Sequence, residues 1–288
     1  MEPSESNSGS RNTRRAALEW ACAAALTAVP HYAGAQAAAA AAAPATTIAA
    51  PRTDENSAVA HAELVRKAGE GVIDVYFVGD SITRRWGAVD YPELLVHFEQ
   101  TFFGWNAANF GWGGDRTQNI LWRLENGELD GISPKAFVVQ AGTNNLGDFD
   151  SHDERVDSVA AGVAAIVERC RREAPAALVI VTGIFPRRDR PEWNASIAAI
   201  NERLAALADG SNVIYLDING RLVDSRGVLS EAVSEDGLHL NLAGYRVWGE
   251  ALQAVLEARI GPPDELDFAP PPTGNPATAG RPAVEAVD

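Results

Sequence analysis

Short apolar runs rich in β-branched and aromatic residues recur at positions 72–78 (VIDVYFV), 136–140 (AFVVQ), 178–184 (LVIVTGI) and 213–218 (VIYLDI), with a weaker run, NAANF, at 106–110. Runs of this length between turn residues predict buried strands. Between and after them, apolar residues return every three or four positions: Leu94, Leu95, Phe98 and Phe102; Val156, Val159, Val163, Ile166, Val167 and Cys170; Ile197, Ile200, Leu204 and Leu207; Tyr245, Trp248, Leu252 and Val255. Each set shares one face of a helix. Strand alternating with helix predicts an α/β fold whose mainly parallel sheet is covered on both faces, because parallel strands require crossover helices. Cys170, on such a helix face, reads as a small core residue.

In sheets of this kind ligands bind beyond the carboxyl ends of the strands, so the residues that follow each run carry the chemical information. Gly79-Asp80-Ser81 follows the first strand: the glycine permits a sharp turn, and the serine opens the next helix as a candidate nucleophile. Thr83 stands where an α/β-hydrolase elbow would carry its last glycine. A serine needs a base, and His31, His61, His97 and His152 do not follow a strand with a suitable partner. His239 does, in Asp236-Gly237-Leu238-His239 just before the last helix. An aspartate three residues earlier can reach imidazole Nδ1 and leave Nε2 for the serine. Gly111-Trp112-Gly113-Gly114-Asp115 and Gly142-Thr143-Asn144-Asn145 follow the second and third strands and offer a bare backbone N–H and a side-chain amide as oxyanion donors. Asp80, Trp86 and Trp112 flank the nucleophile and the glycine loop and are candidate substrate contacts. Arg84-Arg85 reads as a solvated helix face, with contact to an anionic substrate group as the alternative. The acidic stretch around Asp148, Asp150, His152, Asp153 and Glu154 lacks EF-hand spacing and reads as the dipole-stabilised first turn of a helix, so no metal site is expected.

Composition narrows the partners. A formal net charge of -15, from 24 Lys+Arg against 39 Asp+Glu, disfavours nucleic acid and any membrane surface that depends on a basic patch. The chain ends differ from the middle. Residues 11–37 run from Arg14-Arg15 through an Ala-rich apolar stretch to Ala33, Ala35 and Ala37, the grammar of a twin-arginine export signal over residues 1–37 and too short for a bilayer span of roughly 20 residues. No lipobox precedes Cys22, so stable membrane anchoring is not expected, and a secreted or periplasmic location is. With Cys22 removed, Cys170 would stand alone and no internal disulfide could form. Residues 38–60 read as a linker, 61–260 as one domain, and 261–288 as a Pro-rich disordered tail.

GDSIT, the glycine loop, GTNN and DGLH, in this order over about residues 70–258, resemble the four blocks of the SGNH (GDSL-type) hydrolase superfamily. The stretch from NFGWGGDRTQN to AGTNN is especially similar to the branch holding intracellular platelet-activating-factor acetylhydrolase catalytic subunits and secreted bacterial esterases. The resemblance implies a flavodoxin-like three-layer α/β/α sandwich with a five-stranded sheet. It implies Ser81 as nucleophile, His239 as base and then acid, Asp236 as orienting carboxylate, and the Ser81 N–H, Gly114 N–H and Asn144 side chain as oxyanion donors. No metal or organic cofactor is implied. Asn145 stands where many members carry Asp. The function expected is hydrolysis of short-chain, foremost acetyl, esters of carbohydrates, a small-molecule or carbohydrate ester being the expected partner. The alternatives are a lipase, lysophospholipase or arylesterase of the same superfamily and, from another class, a glycan-binding module without turnover.

Overall fold

The computed structural model describes residues 43–274; the expected export signal and the end of the tail lie outside the described residues. In chain order the elements are α1 (Glu55–Ala68), β1 (Val75–Gly79), α2 (Ser81–Trp86), α3 (Pro92–Phe102), β2 (Ala107–Asn109), α4 (Thr117–Glu125) and β3 (Ala136–Gln140). They continue with α5 (His152–Glu173), β4 (Leu178–Thr182), α6 (Asn194–Ala205), β5 (Val213–Leu216), α7 (Asn219–Leu222) and α8 (Leu242–Ile260). All neighbouring strands pair in parallel, in the order β2-β1-β3-β4-β5. The expected five strands all form, and the order is that of a doubly wound, flavodoxin-like sheet whose switch point lies between β1 and β3.

Side chains alternate between the two faces of each strand, and each face has its own core. Tyr76, Val78, Phe137, Val139, Val179 and Val181 pack under α1, α4, α5 and α6. Val75, Phe77, Val138 and Ile180 pack on the other face against α2, α3 and α8. Cys170 is fully buried in the first core, as its helical spacing predicts, and burial raises its thiol far above the usual range.

The ends of the described chain differ from the solvated segments that composition predicts. Residues 43–54 lie against α4 and α5: Thr46 Oγ1 donates to the Ser158 carbonyl at 2.6 Å, and Ala50 N–H donates to the Gln118 carbonyl at 3.0 Å. Helix α1 then begins at Glu55, inside the expected linker, capped by Asp54. After α8 the chain turns back along the edge strand. Asp264 N–H donates to the Gly104 carbonyl at 2.8 Å, Val72 N–H to the Phe268 carbonyl at 2.8 Å, and Val89 N–H to the Thr273 carbonyl at 3.1 Å. These are main-chain bonds, which composition does not reveal.

Candidate active site

Ser81 stands at the first position of α2, directly beyond β1. The turn that puts it there requires Gly79, since a Cβ at that position would fall 2.0 Å from Thr83 Oγ1 and 2.5 Å from the Gln140 carbonyl. Asp80 caps the helix, its carboxylate accepting from Ile82 N–H at 2.9 Å. Ser81 Oγ lies 2.9 Å from His239 Nε2, and His239 Nδ1 lies 2.7 Å from Asp236 Oδ2. Ser81 at the start of α2 and two residues of the loop before α8 thus form one continuous hydrogen-bonded line.

The protonation states follow from the surroundings. Burial works to raise the Asp236 carboxyl, but hydrogen bonds from the His239 N–H, the His239 ring and the Leu238 N–H outweigh it and hold the group well below the usual carboxylate range. The ring of His239 is pushed below its ordinary value, first by burial and then by the charges of Arg85 and Arg187, while Asp236 pulls it up. The result is a neutral imidazole beside a carboxylate, the state a general base needs at neutral pH.

The glycine loop passes over the serine: a Cβ built at Gly113 would lie 3.9 Å from Ser81 Cβ. Gly114 has φ +78°, a left-handed conformation that favours glycine. Asn144, at the start of a 3-10 turn (Thr143–Asp148) after β3, donates one amide hydrogen to the Asp115 carbonyl at 2.8 Å. That bond ties the second donor loop to the first and, among the described residues, leaves the other amide hydrogen free to donate. Asn145 has a structural role, accepting from Thr117 N–H at 3.0 Å and donating to Gln118 Oε1 at 3.0 Å.

The structure corrects three of the expected substrate contacts. Asp80 is fully buried, its carboxyl raised to about 7 by desolvation. Trp86 is sealed among Phe77, Phe98, Phe102, Tyr245 and Trp248, and its N–H donates to His97 Nδ1 at 3.0 Å. Trp112 is 8% exposed and donates to Ser57 Oγ at 2.8 Å. Arg84 is not on a solvated face either: it is buried, holds Asp90 through two bonds of 3.0 and 2.8 Å, and lies 5.1 Å from the Trp112 ring. Arg85 stands one helical turn beyond Ser81, 3.7 Å from Asp236 Oδ2. The acidic stretch is used locally, Asp148 pairing with Arg116 at 2.9 Å. Among the described residues no group of three His, Cys, Asp or Glu is placed to hold a metal.

Sequence reasoning missed three arginines around the site. Arg187, from the loop after β4, pairs with Asp189 at 2.8 Å and lies 4.9 Å from the Trp193 ring. Arg188 donates to the Ser234 and Glu235 carbonyls, both at 2.9 Å, and its N–H to the Gly237 carbonyl, also at 2.9 Å, bracing the loop that carries Asp236. Arg52 reaches the glycine loop from the N-terminal segment. Only the run Arg187-Arg188 directly after a strand offered a signal.

The chain is similar to known proteins over much of its length. The model of the GDSL-like lipase/acylhydrolase family matches residues 77–247. Platelet-activating factor acetylhydrolase IB subunit alpha2 of Rattus norvegicus is 40% identical over 177 residues, spanning 60% of this chain and 71% of that one. Subunit alpha1 of Homo sapiens is 36% identical over 202 residues, spanning 68% and 80%. Among solved structures, a member of the lipolytic protein G-D-S-L family from Veillonella parvula superposes with TM-score 0.50 at 19% identity, covering 64% of this chain and 98% of that chain. A Streptococcus pneumonia structure named for platelet activating factor superposes with TM-score 0.56 at 23% identity, covering 68% and 91%.

Proposed function

Starting from the fact that the chain belongs to the GDSL-like lipase/acylhydrolase family and is an ester hydrolase, we propose that it is a serine esterase for short-chain, foremost acetyl, esters. The observation that carries the reading is the line Ser81 Oγ, His239 Nε2, His239 Nδ1, Asp236 Oδ2, with links of 2.9 and 2.7 Å. His239 takes the hydroxyl proton as Ser81 Oγ attacks the ester carbonyl. The oxyanion is received by the N–H groups of Ser81 and Gly114 and by Asn144 Nδ2, and His239 returns the proton to the departing alcohol. Water then attacks the acyl-enzyme with His239 again as base, releasing the acid. Asp236 holds the tautomer and balances the transient imidazolium. Relatives named acetylhydrolases support the acetyl group. The reading commits to the acyl side: with Trp86 and Trp112 inside the protein, neither ring supports a carbohydrate platform.

Hydrolysis of p-nitrophenyl acetate, butyrate and octanoate by the full chain and by Ser81→Ala tests the reading. Acetate is expected to be preferred, and the substitution is expected to lower kcat by at least about 10³-fold. Octanoate preference would replace the short-chain reading, and equal negligible rates for both proteins would remove the serine mechanism. Export led by Arg14-Arg15 belongs to the same proposal; the protein is expected in the periplasmic or extracellular fraction, and retention in the cytoplasm would overturn it.

A further inference from the structure

The glycine loop is anchored at both ends. Trp112 N–H donates to the Gly79 carbonyl at 3.1 Å, the Asp115 carbonyl accepts from Asn144 Nδ2 at 2.8 Å, and the buried Asp115 carboxylate accepts from Arg123 Nε at 2.7 Å. Between these anchors lie two consecutive glycines, the residues with the least intrinsic restraint. The side chain that reaches their shared peptide is Arg52, whose Nη1 donates to the Gly113 carbonyl at 3.2 Å. The same Nη1 lies 3.5 Å from Asp115 Oδ1, a buried oxygen with no hydrogen-bond partner among the described residues. Asp54 steadies the guanidinium by accepting from Arg52 Nε at 3.0 Å while capping α1 through Ser57 N–H at 3.0 Å.

The Gly113 carbonyl and the Gly114 N–H belong to one peptide unit. A trans peptide is planar, with C=O and N–H pointing in opposite directions, so a donor that holds the carbonyl on one side turns the N–H to the other. A cation on the carbonyl also polarises the amide and strengthens its N–H as a donor. We propose that Arg52 is a positioning residue for the esterase reaction: its guanidinium, bound to the Gly113 carbonyl, aims and polarises the Gly114 N–H toward the oxyanion. This inference rests on the serine-esterase reading above. Arg52 lies outside residues 77–247 matched by the family model, so the shared motifs do not supply it; the N-terminal segment does.

Arg52→Lys, Arg52→Gln and Arg52→Ala, made in the full chain and assayed on p-nitrophenyl acetate beside wild type and Ser81→Ala, test it. Loss of one well-aimed oxyanion donor costs about 10²–10³ in kcat, and misorientation costs part of that, so Arg52→Ala is expected to lower kcat about 10- to 100-fold while KM stays within about twofold. Arg52→Lys keeps the charge and is expected to recover most of the loss; Arg52→Gln keeps a donor without the charge and is expected to fall between Lys and Ala. Labelling of Ser81 by a p-nitrophenyl alkylphosphonate, whose adduct places an anionic oxygen in the same hole, is expected to slow in parallel with kcat. Arg52→Ala with wild-type kcat would overturn the inference, as would a loss that appears equally in KM or that Lys fails to rescue. If Arg52→Ala does not fold, the Lys and Gln variants decide by the same order of kcat. Wild type without Ser81-dependent turnover would instead overturn the esterase reading itself.

Discussion

At the scale of single residues, the site is tuned by charges that do not themselves react. Arg85 lies 3.7 Å from Asp236 and, with Arg187, pushes the His239 ring down. A lower imidazole value keeps the base unprotonated in mildly acidic solution, so the acid limb of kcat/KM is expected below pH 6.5, the ordinary value. Removing a nearby cation makes protonation of the ring easier. Arg85→Gln is therefore expected to move the acid limb upward, costing rate at pH 5–6 and little at pH 8; a pH–rate profile with an unmoved limb would show that Arg85 acts elsewhere. That Ser81, Asp236, His239, Gly114 and Asn144 gather at one end of the sheet was legible because each follows a strand run or precedes a helical period, positions the sequence reveals. Arg52, Arg187 and Arg188 were not, because arginine is frequent on solvated faces and only the folded chain shows which ones turn inward; Arg85, read as part of a solvated face, lies 3.7 Å from Asp236.

The element that presents the proposed nucleophile is anchored in the core at its far end. Helix α2 carries Ser81 at one end and Trp86 at the other, and the Trp86 ring lies 4.9 to 5.2 Å from those of Tyr245, Trp248 and Phe102. The indole therefore acts as a wedge that holds α2 between β1, α3 and α8. Trp86→Ala is expected to lower unfolding free energy by about 3–5 kcal/mol, the usual cost of emptying a large aromatic site. Trp86→Phe is expected to retain KM for p-nitrophenyl acetate; a large rise in KM with stability intact would return Trp86 to the substrate site. The indole's position illustrates a limit of the pattern: proximity to the serine in sequence marks Trp86 as a candidate contact, but a six-residue helix turns its far end into the core. The strands and α3, α5, α6 and α8 announced themselves through apolar spacing. Helix α1 did not, because its buried positions are Ser57, Ala60, Leu64, Lys67 and Ala68, a helical spacing written mostly in small or polar residues.

The described domain is closed by segments that composition reads as solvent-exposed, and one buried lysine joins them. Lys67, on α1 and 5% exposed, donates to the Asn109 carbonyl of edge strand β2 at 2.9 Å and to Thr273 Oγ1 of the returning tail at 3.1 Å. No composition rule anticipates this, since proline-rich tails and alanine-rich leads look alike whether they hang free or lie against a sheet. Burial pushes the Lys67 ammonium down to about 7, against an ordinary 10.5, although Glu128 and Glu70 pull it up. Above pH 7 the folded chain has released this proton while the unfolded chain still binds it, so stability rises with pH through that range. Asp80, raised by burial to about 7 from 3.8, acts below this window, where the folded chain holds the extra proton and stability falls as pH rises. Cys170, whose thiol is raised from 9.0, opposes Lys67 above it. The window in which Lys67 governs is thus pH 7 to 9. Urea unfolding of the full chain is expected to show stability increasing across that interval, and Lys67→Met, whatever its baseline stability, is expected to flatten the slope. Equal slopes in the two proteins would show that the ammonium is not held in the low-polarity junction between α1, the sheet edge and the tail.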